Sequence, residues 1–268
     1  MEWDFLFEIM KKKEIVTHIS NWLKEYCDKS KTNGFVIGIS GGIDSAVTST
    51  LCALTGKRLI VLNLPIKQNK KEFDRSTEHI DWLIRNFKNV EHQTVELSDI
   101  FRGFEKDLPG DIQDFLTMAN VRSRVRMITL YAFASHYKLL VAGTGNKIED
   151  FGIGFFTKYG DGGVDLSPIA DLTKTEVYAL AAELNIIESI QNARPTDGLY
   201  ADDRTDEDQI GASYPELEWA MDYCESKSNE ALNERQKAIM EIYLSRNRAN
   251  KHKMEAIPVC LIPKDLKK

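Results

Sequence analysis

The stretch that decides the fold of this chain reads Phe35-Val36-Ile37-Gly38-Ile39-Ser40-Gly41-Gly42-Ile43-Asp44-Ser45. Its first part is a short apolar run bounded by glycine and serine, which is typical of a strand buried on both faces of a parallel sheet. Glycines and hydroxyl side chains follow, and from Ile43 to Leu54 the apolar residues recur at helical spacing. A buried strand that turns through a glycine-rich loop into a helix predicts an α/β fold.

The same alternation extends on both sides of this stretch. Strands are predicted at 35–39, 58–64, 90–97 and 139–144. Helices are predicted at 3–29, 43–54, 72–87, 121–137, 173–184, 215–226 and 229–247. Because strands that alternate with helices form parallel βαβ units, we expect a doubly wound parallel sheet with helices on both faces.

No repeat or long linker divides the chain, so we expect a single domain over residues 1–268. It would consist of the N-terminal helix 3–29, an α/β core at about 34–190, and a mobile loop with a helical C-terminal part at about 194–268.

Composition and charge exclude several classes of protein. The chain has 268 residues, of which 43% are hydrophobic and 28% charged, as expected for a globular domain with its own core. Its formal net charge of −6 argues against nucleic acid as a partner. No apolar run has the length of a transmembrane helix, and the N-terminus does not resemble a secretory signal. We therefore expect a cytoplasmic protein with no membrane partner, and its four cysteines form no C-x-x-C pair.

The loop at residues 40–45 has the composition of an anion-binding site. Gly41 and Gly42 let the backbone approach a ligand closely, and the following helix presents unpaired N–H groups to an anion. Asp44 on its own would repel a phosphate, so its presence predicts a divalent cation between the two. The sequence matches neither the P-loop motif G-x-x-x-x-G-K-[ST] nor the dinucleotide motif G-x-G-x-x-G. A strand-to-helix turn with serine caps and no ligand is the alternative interpretation.

Further charged residues follow the last predicted strand of the sheet. Thr144 and Glu149 come after the strand at 139–144, at the sheet edge where α/β folds bind ligands, and Glu149 is a candidate second carboxylate for the cation. Lys158 and Asp165 flank a glycine-rich stretch that suits a loop folding over an anionic ligand. Taken alone, each of these charges is better explained by solvent exposure.

The hexapeptide at 40–45 resembles the S-G-G-x-D-S loop of ATP pyrophosphatases, which cleave ATP between the α- and β-phosphates. Four further segments, at 120–127, 143–149, 155–166 and 172–174, together resemble NAD synthetases. The resemblance runs in order over roughly residues 35–255. It implies the adenine-nucleotide α-hydrolase-like form of the doubly wound fold, and a ligase that forms a C–N bond.

The resemblance also implies roles for individual residues. The implied ATP-binding residues are Gly38, Ile39, Ser40, Gly41, Gly42, Ile43, Asp44, Ser45, Thr144, Lys174 and Thr196. The implied contacts to the dinucleotide substrate are Arg124, Lys158, Asp165, His252 and Lys253. Asp44 and Glu149 are the predicted Mg²⁺ ligands, and no residue is assigned as a catalytic acid or base. Asp197 follows Thr196 where the family usually has a small residue, which weakens the assignment of Thr196.

The implied reaction is the ATP-dependent amidation of deamido-NAD with ammonia. The nicotinate carboxylate is adenylated with release of pyrophosphate, and ammonia then displaces AMP to give NAD. Only about 35 residues precede the 40–45 loop, so we expect no glutaminase domain, while a separate glutaminase partner stays open. The alternatives are amidation of nicotinate mononucleotide, a tRNA-modifying ATP pyrophosphatase, and a nucleotide-binding sensor without activity. The net charge and the absence of C-x-x-C argue against the tRNA-modifying enzyme.

By the same resemblance we expect a homodimer. Members of the family dimerise through the long helix that begins here near Asn120, and its apolar face would include Val125, Ile128 and Ala132. The alternative is a monomer in which this helix packs only in the core.

Overall fold

A computed structural model of the chain describes residues 10–67, 70–196, 205–228 and 230–267. Within these residues four strands form one parallel sheet: β1 Gly34–Gly38, β2 Arg58–Asn63, β3 Val90–Thr94 and β4 Leu140–Val141. The strands lie in the order β3-β2-β1-β4. The chain thus winds outward from β1 to β3 and then returns to the other side of β1. This reversal opens a crevice between the carboxyl ends of β1 and β4, which is where doubly wound folds bind ligands.

Helices connect the strands and complete the C-terminal part of the chain. The described α-helices are α1 Lys12–Ser30, α2 Ile43–Leu54, α3 Lys70–Asn86, α4 Ser98–Asp107, α5 Phe115–Tyr137, α6 Lys174–Glu183, α7 Glu188–Gln191, α8 Asp206–Ile210, α9 Tyr214–Glu225 and α10 Glu234–Met254. A π-helix spans Ile148–Ile153, and short 3₁₀ turns occur at Gly110–Ile112 and Lys264–Lys267. In the described part of the chain, none of these helices is both long and apolar enough to cross a membrane.

Alternate residues of β1 point to opposite faces of the sheet, and each face has its own apolar core. Phe35 and Ile37 pack in a cluster with side chains of α1, α2 and α6. Val36 packs in a second cluster with side chains of α4 and α5. All three β1 side chains are fully buried. Helices therefore cover both faces, and the predicted doubly wound parallel sheet is confirmed.

A third apolar cluster lies beside the sheet and joins the π-helix to α8, α9 and α10. Two asparagine side chains of α10 strengthen this contact. Asn247 Nδ2 donates to the carbonyl of Gly152 at 2.7 Å, and Asn250 Nδ2 donates to that of Ile153 at 2.8 Å. Because the last carbonyls of a helix lack partners within it, these two amides fix the C-terminal end of the π-helix.

Side-chain caps explain two boundaries that the sequence pattern misplaced. α5 begins at Phe115 rather than at 121, because the carboxylate of Asp114 accepts a hydrogen bond from the backbone of the helix's first turn. α10 spans 234–254 rather than 229–247, because the side chain of Asn233 caps it.

Other elements are shorter than predicted or were not predicted. β3 ends at Thr94 and β4 at Val141, since the chain leaves the sheet earlier than the apolar pattern suggests. The first helix begins at Lys12, and the predicted positions 3–9 lie outside the described residues. α4, α7, α8 and the π-helix were not predicted, and α8 lies within the segment expected to be a mobile loop. The proposed apolar face of α5 is divided: Val125 is buried in the core, whereas Ile128 is 60% exposed and Ala132 is exposed.

Candidate active site

One large cavity, of about 760 Å³, opens at the carboxyl edge of the sheet between β1 and β4. It brings together nearly all the residues singled out from the sequence. Those that line it are Gly38, Ile39, Ser40, Gly41, Gly42, Ile43, Asp44, Arg124, Thr144, Glu149, Lys158, Lys174, Thr196, His252 and Lys253. A smaller cavity of about 90 Å³ shares Asp44 and Glu149 with it and is also lined by Ser45. Residues far apart in sequence thus converge on one site.

The 40–45 loop is held in a tight turn by its own hydroxyl groups. Ser45 Oγ donates to the carbonyl of Gly42 at 3.0 Å and accepts from the backbone N–H of Ser40 at 3.3 Å. Gly41 has a φ of +85°, and a Cβ there would lie 2.6 Å from the carbonyl oxygen of Glu72. Both the left-handed conformation and the close packing on α3 require glycine at this position.

Asp44, Glu149 and Lys174 form a buried ionic cluster beside this loop. Lys174 Nζ lies 2.6 Å from Asp44 Oδ2 and 2.9 Å from Glu149 Oε1. Only 5% of the lysine side chain and 16% of each carboxylate are exposed, so solvent screens these charges weakly. Lys174 is the first residue of α6, where Thr173 and Glu176 form the predicted capping box.

Two neutral side chains orient the carboxylates. Asn146 Nδ2 donates to Asp44 Oδ1 at 3.2 Å, and Asn146 Oδ1 accepts from the backbone N–H of Glu149 at 3.1 Å. The hydroxyl of Tyr214, at the start of α9, donates to Glu149 Oε1 at 2.6 Å. The 40–45 loop, the 143–149 segment and the start of α9 therefore meet at the two carboxylates.

The ionisation of the cluster follows from burial and from its mutual charges. Burial raises the pKa of Asp44, despite the opposing effect of the Lys174 ammonium. Burial also acts to raise the pKa of Glu149, but Lys174 and the Tyr214 hydroxyl outweigh it and hold that pKa below its usual value. Burial acts to lower the pKa of Lys174, and the two carboxylates outweigh it, so this pKa is raised. Lys174 therefore stays protonated and carries a positive charge.

Asp150 is a further carboxyl group that lines the small cavity. Burial is the main cause that raises the pKa of Asp150 to about 7, and the neighbouring carboxylates of Glu149, Asp161 and Asp44 add to it. Several carboxyl groups therefore lie close together at this cavity.

The donor set fits Mg²⁺. Asp44 and Glu149 offer carboxylate oxygens, the ligand type that Mg²⁺ prefers, and they already converge on one positive group, the Lys174 ammonium. Among the residues that the structure describes, no group of three or more His, Cys, Asp or Glu side chains could hold a metal ion. A metal at this pair would therefore take its remaining ligands from substrate phosphates and water, as Mg²⁺ commonly does.

A second group of residues lining the large cavity comes from α5, the glycine-rich run (residues 155–166) and the end of α10. Arg124 Nη2 donates to the carbonyl of Lys158 at 3.3 Å, and Lys158 Nζ donates to that of His252 at 2.5 Å. Lys253 Nζ donates to the carbonyl of Phe156 at 2.7 Å. Four of the five residues predicted to contact the dinucleotide are thus neighbours, although they come from three segments.

Asp165 is the exception among the predicted substrate contacts. It lines neither of the two cavities described above. Its Oδ2 accepts from the backbone N–H of Val141 at 2.8 Å, and its Oδ1 accepts from the hydroxyl of Tyr131 at 3.0 Å. In this structure the carboxylate secures the edge of β4 to α5, so its role in substrate binding stays a prediction.

Sequence reasoning missed several residues of the site. Asn146 lies inside the 143–149 segment that was singled out, but nothing local showed that its amide would reach Asp44. Tyr214 follows Ser213 and precedes Glu216, a capping-box pattern that places it at a helix start. Arg75 of α3, whose Nε donates to the carbonyl of Gly41 at 3.3 Å, carries no sequence signal. Thr196 lines the large cavity, while Asp197 lies outside the described residues.

Fold and site together define a class of protein. The parallel sheet reverses its direction of winding between β1 and β4, and a glycine-rich loop and a buried carboxylate pair lie at that reversal. This combination is typical of adenine-nucleotide-binding enzymes with the α-hydrolase-like fold. Comparison with protein families narrows this class. Residues 15–256 match the family model of NAD synthase, and the chain belongs to that family.

Individual relatives agree with this membership. The chain is 40% identical over 203 residues to an NH(3)-dependent NAD(+) synthetase of Mycoplasma genitalium, covering 75% of this chain and 79% of the relative. It is 36% identical over 255 residues to the protein of that name from Archaeoglobus fulgidus, covering 94% and 98%. Among solved structures, NMN synthetase from Francisella tularensis superposes with a TM-score of 0.82 at 30% identity, covering 95% and 99%.

The family resemblance, the fold type and the enzyme class predicted from the sequence are therefore confirmed. The chain is a ligase of the NAD synthase family, and ATP is one of its substrates.

Proposed function

We propose that this chain is an ammonia-dependent NAD synthetase, which amidates deamido-NAD at the expense of ATP. The observation that carries the proposal is the pairing of two charged clusters in one cavity. The 40–45 loop, with Asp44, Glu149 and Lys174, supplies a site for phosphates and a cation, and the second cluster supplies cationic side chains for another anionic substrate.

The first cluster is the ATP half of the site. The 40–45 loop and the first turn of α2 offer N–H groups and a positive helix end to the phosphates. Lys174 adds a charged donor on the same cavity wall, as do Thr144 and Thr196 with hydroxyl groups. Mg²⁺ at Asp44 and Glu149 would neutralise charge that develops on the departing pyrophosphate.

The second cluster is the dinucleotide half. Arg124, Lys158 and Lys253 are cations on one side of the cavity, and the backbone of His252 holds the Lys158 ammonium in place. Charged donors bind the pyrophosphate or carboxylate of a dinucleotide more strongly than neutral ones do. Asp165 is the least supported member of this group, because structural partners engage both of its oxygens.

The reaction needs two substitutions, the first at the α-phosphorus of ATP and the second at the carboxyl carbon of the nicotinate. One oxygen of the nicotinate carboxylate attacks the α-phosphorus of ATP, and the bond from that phosphorus to the pyrophosphate oxygen breaks. Ammonia then attacks the carbonyl carbon of the adenylate, AMP leaves and the nitrogen releases one proton. The two clusters hold the carboxylate and the α-phosphate in reach of each other, so positioning and charge stabilisation carry the first step. No residue is assigned as the proton acceptor.

Nicotinate mononucleotide is the second candidate substrate. It is favoured by the similarity to the Francisella tularensis structure, whose name gives NMN synthetase. The chemistry at the carboxylate is the same for both substrates, so only the part of the cavity that holds the second nucleotide separates them.

Product analysis tests the function. Purified protein with ATP, Mg²⁺ and ammonium should convert deamido-NAD to NAD with equimolar AMP and pyrophosphate, faster than it amidates nicotinate mononucleotide. Asp44→Asn keeps the shape of the loop but removes a metal-binding charge, so it should fold normally and show no turnover. Conversion of the mononucleotide alone would select the second candidate, and release of neither amide would refute both.

Glutamine in place of ammonium tests the nitrogen source in the same assay. We expect no product from glutamine when the protein is free of contaminating glutaminase. A rate comparable to that with ammonium would contradict an ammonia-dependent enzyme.

We also propose that the chain forms a homodimer through α4 and α5. The two helices pack against each other and leave large apolar side chains exposed. These are Ile100 and Phe104 on α4, and Phe115, Leu116 and Ile128 on α5. Exposed apolar surface of this kind marks contact sites, and a second copy of the chain would cover it. The side chain of Val125 packs in the core, so Val125 does not belong to the proposed dimer surface.

A further inference from the structure

Lys174 occupies the position where a metal ion shared by Asp44 and Glu149 would lie. Its ammonium nitrogen is 2.6 Å from one carboxylate oxygen and 2.9 Å from the other. An Mg²⁺ ion bound to the same two oxygens would lie about 2.0–2.1 Å from each. The two positive groups would therefore compete for one small volume, and only one of them fits between the carboxylates.

Each carboxylate of the pair has a hydrogen-bond partner besides Lys174. Asn146 holds Asp44 through a side-chain hydrogen bond, and the hydroxyl of Tyr214 holds Glu149. Asn146 bonds to the Asp44 oxygen that Lys174 does not contact, and Tyr214 bonds to the same Glu149 oxygen as Lys174. Because these two bonds remain when the ammonium departs, the pair stays oriented. A site that keeps its shape while it exchanges one cation for another is suited to a reversible swap.

We propose that Lys174 is an internal cation that competes with the divalent metal for Asp44 and Glu149 and yields the pair when metal and ATP arrive together. The proposal rests on the proposed metal site of the synthetase. Its consequence is that free metal binds weakly, because binding has to break two charge-assisted hydrogen bonds in a poorly solvated site.

ATP removes this obstacle. Lys174 also lines the large cavity next to the 40–45 loop, so a phosphate bound at the loop offers the displaced ammonium a new anionic partner. Metal and nucleotide then each favour the binding of the other, and this coupling is reciprocal by thermodynamic necessity. Lys174 is thus the residue that makes metal and ATP bind as a unit.

Binding of Mn²⁺ in the absence of nucleotide tests the proposal. Mn²⁺ accepts the same oxygen ligands as Mg²⁺, and its electron paramagnetic resonance signal reports the free ion. We expect Lys174→Met to bind Mn²⁺ at least tenfold more tightly than the wild-type protein. Lys147→Met is the matched control, because it removes a lysine whose ammonium pairs with Glu225, at 3.5 Å, away from the carboxylate pair, and it should bind like the wild type. Unchanged or weaker binding by Lys174→Met would overturn the proposal.

A non-hydrolysable ATP analogue tests the coupling. It should tighten Mn²⁺ binding to the wild-type protein and to Lys147→Met, and it should have a clearly smaller effect on Lys174→Met. An equal enhancement in all three proteins would mean that Lys174 does not couple the two ligands.

Thermal unfolding shows whether Lys174→Met is folded and whether metal stabilises it. Removing the ammonium leaves two buried carboxylates without their shared cation, so Lys174→Met should melt at a lower temperature than the wild type. Millimolar Mn²⁺ should raise its melting temperature by more than it raises that of the wild type. An equal shift in both proteins would contradict the swap. Metal binding without substrates needs no turnover, so failure of this test is distinguishable from failure of the proposed reaction.

Discussion

Tyr214 and Asn146 form hydrogen bonds that orient Asp44 and Glu149, the two acids proposed to bind a metal ion, without adding charge. The Tyr214 hydroxyl bonds to Glu149 at 2.6 Å, and it lowers the pKa of that carboxyl together with Lys174. Asn146 bridges Asp44 and the backbone of Glu149. Because the ends of flexible acidic side chains otherwise sample several rotamers, such neutral partners pre-organise the pair for a metal ion.

Replacing Tyr214 by Phe should therefore weaken the metal site while it keeps the ring packed. A hydrogen bond to a charged group is worth about 1.5–3 kcal/mol, which corresponds to roughly tenfold or more in affinity. Mn²⁺ titration with an ATP analogue present measures this loss. Tyr223→Phe is the control, since its hydroxyl donates only to the surface carbonyl of Glu230. Equal Mn²⁺ affinity in the two variants would show that Tyr214 does not position Glu149.

His79 gives the fold a dependence on pH that is separate from the active site. Its ring is fully buried on α3, 3.0 Å from the hydroxyl of Ser49 and stacked on Trp82. Burial lowers the pKa of His79 to about 4. Because the unfolded chain takes up a proton near pH 6.5 and the folded chain near pH 4, the stability contributed by neutral His79 is present above pH 6.5. It is lost progressively as the pH falls from 6.5 to 4.

Urea unfolding of the wild type and of His79→Gln measures this contribution. The free energy of unfolding of the wild type should fall by about 2–3 kcal/mol more than that of the variant between pH 7 and pH 4.5. His18→Gln, at an exposed position on α1, should behave like the wild type over the same range. A difference between wild type and His79→Gln that does not change with pH would contradict the buried neutral state.

At the scale of elements, the glycine-rich run (155–166) is held between two helices. Ser123 of α5 donates to Asp161 Oδ1 at 2.6 Å, and a Cβ on Gly160 would lie 2.3 Å from the same serine oxygen. At the other end, Lys158 and Lys253 tie the run to the end of α10. Contacts with α5 and α10 therefore hold the run in place, and Lys158 of the run lines the large cavity.

Lys158→Ala should impair the dinucleotide far more than ATP. A charge-assisted hydrogen bond to an anionic substrate is worth about 1.5–3 kcal/mol, so the KM for deamido-NAD should rise roughly tenfold to a hundredfold. The KM for ATP should stay close to its wild-type value, since Lys158 belongs to the proposed dinucleotide cluster and not to the 40–45 loop. Lys251→Ala, an exposed lysine on α10 paired with Glu255 at 3.4 Å, provides the control. A larger effect on ATP than on deamido-NAD would make the run an ATP lid instead.

At the scale of the whole molecule, α4 and α5 carry several large apolar side chains that are exposed. Leu116 is 64% exposed and Ile128 is 60% exposed, although each would gain about 1.5–3 kcal/mol from full burial. The proposed dimer places this surface between two copies of the chain. Phe115 and Leu116 of this surface also line the large cavity, as Arg124 does, so the proposed interface borders the active site.

Light scattering at micromolar concentration should give about twice the chain mass of 30.5 kDa. The double substitution Leu116→Asp with Ile128→Asp should give the mass of one chain, because two buried carboxylates at an apolar contact are strongly unfavourable. Ile84→Asp with Leu244→Asp, at positions 44% and 43% exposed on α3 and α10, should stay dimeric. A wild-type mass near 30 kDa would refute the dimer.

Much of the fold follows from local sequence patterns. The buried strand at β1, the glycine turn and α2 were predicted almost to the residue, because apolar periodicity and glycine conformation act over a few neighbouring positions. The capping box at the start of α6 was predicted for the same reason. The π-helix and the short helices α7 and α8 were not predicted, because they contain too few residues to show a period. α4 was also missed, although Ile100, Phe101 and Phe104 recur at helical spacing.

The sequence by itself determined the fold class, the family and the position of the 40–45 loop, and it named Asp44, Glu149 and Lys174 as members of one site. Only the tertiary structure decided how these residues meet. The ion pair of Lys174 with Asp44 spans 130 positions, and the bond between Tyr214 and Glu149 spans 65. Contacts over such separations depend on how sheet, π-helix and α9 pack together. Local periodicity carries no signal for that packing, so Tyr214, Asn146 and the cation between the carboxylates came from the folded chain alone.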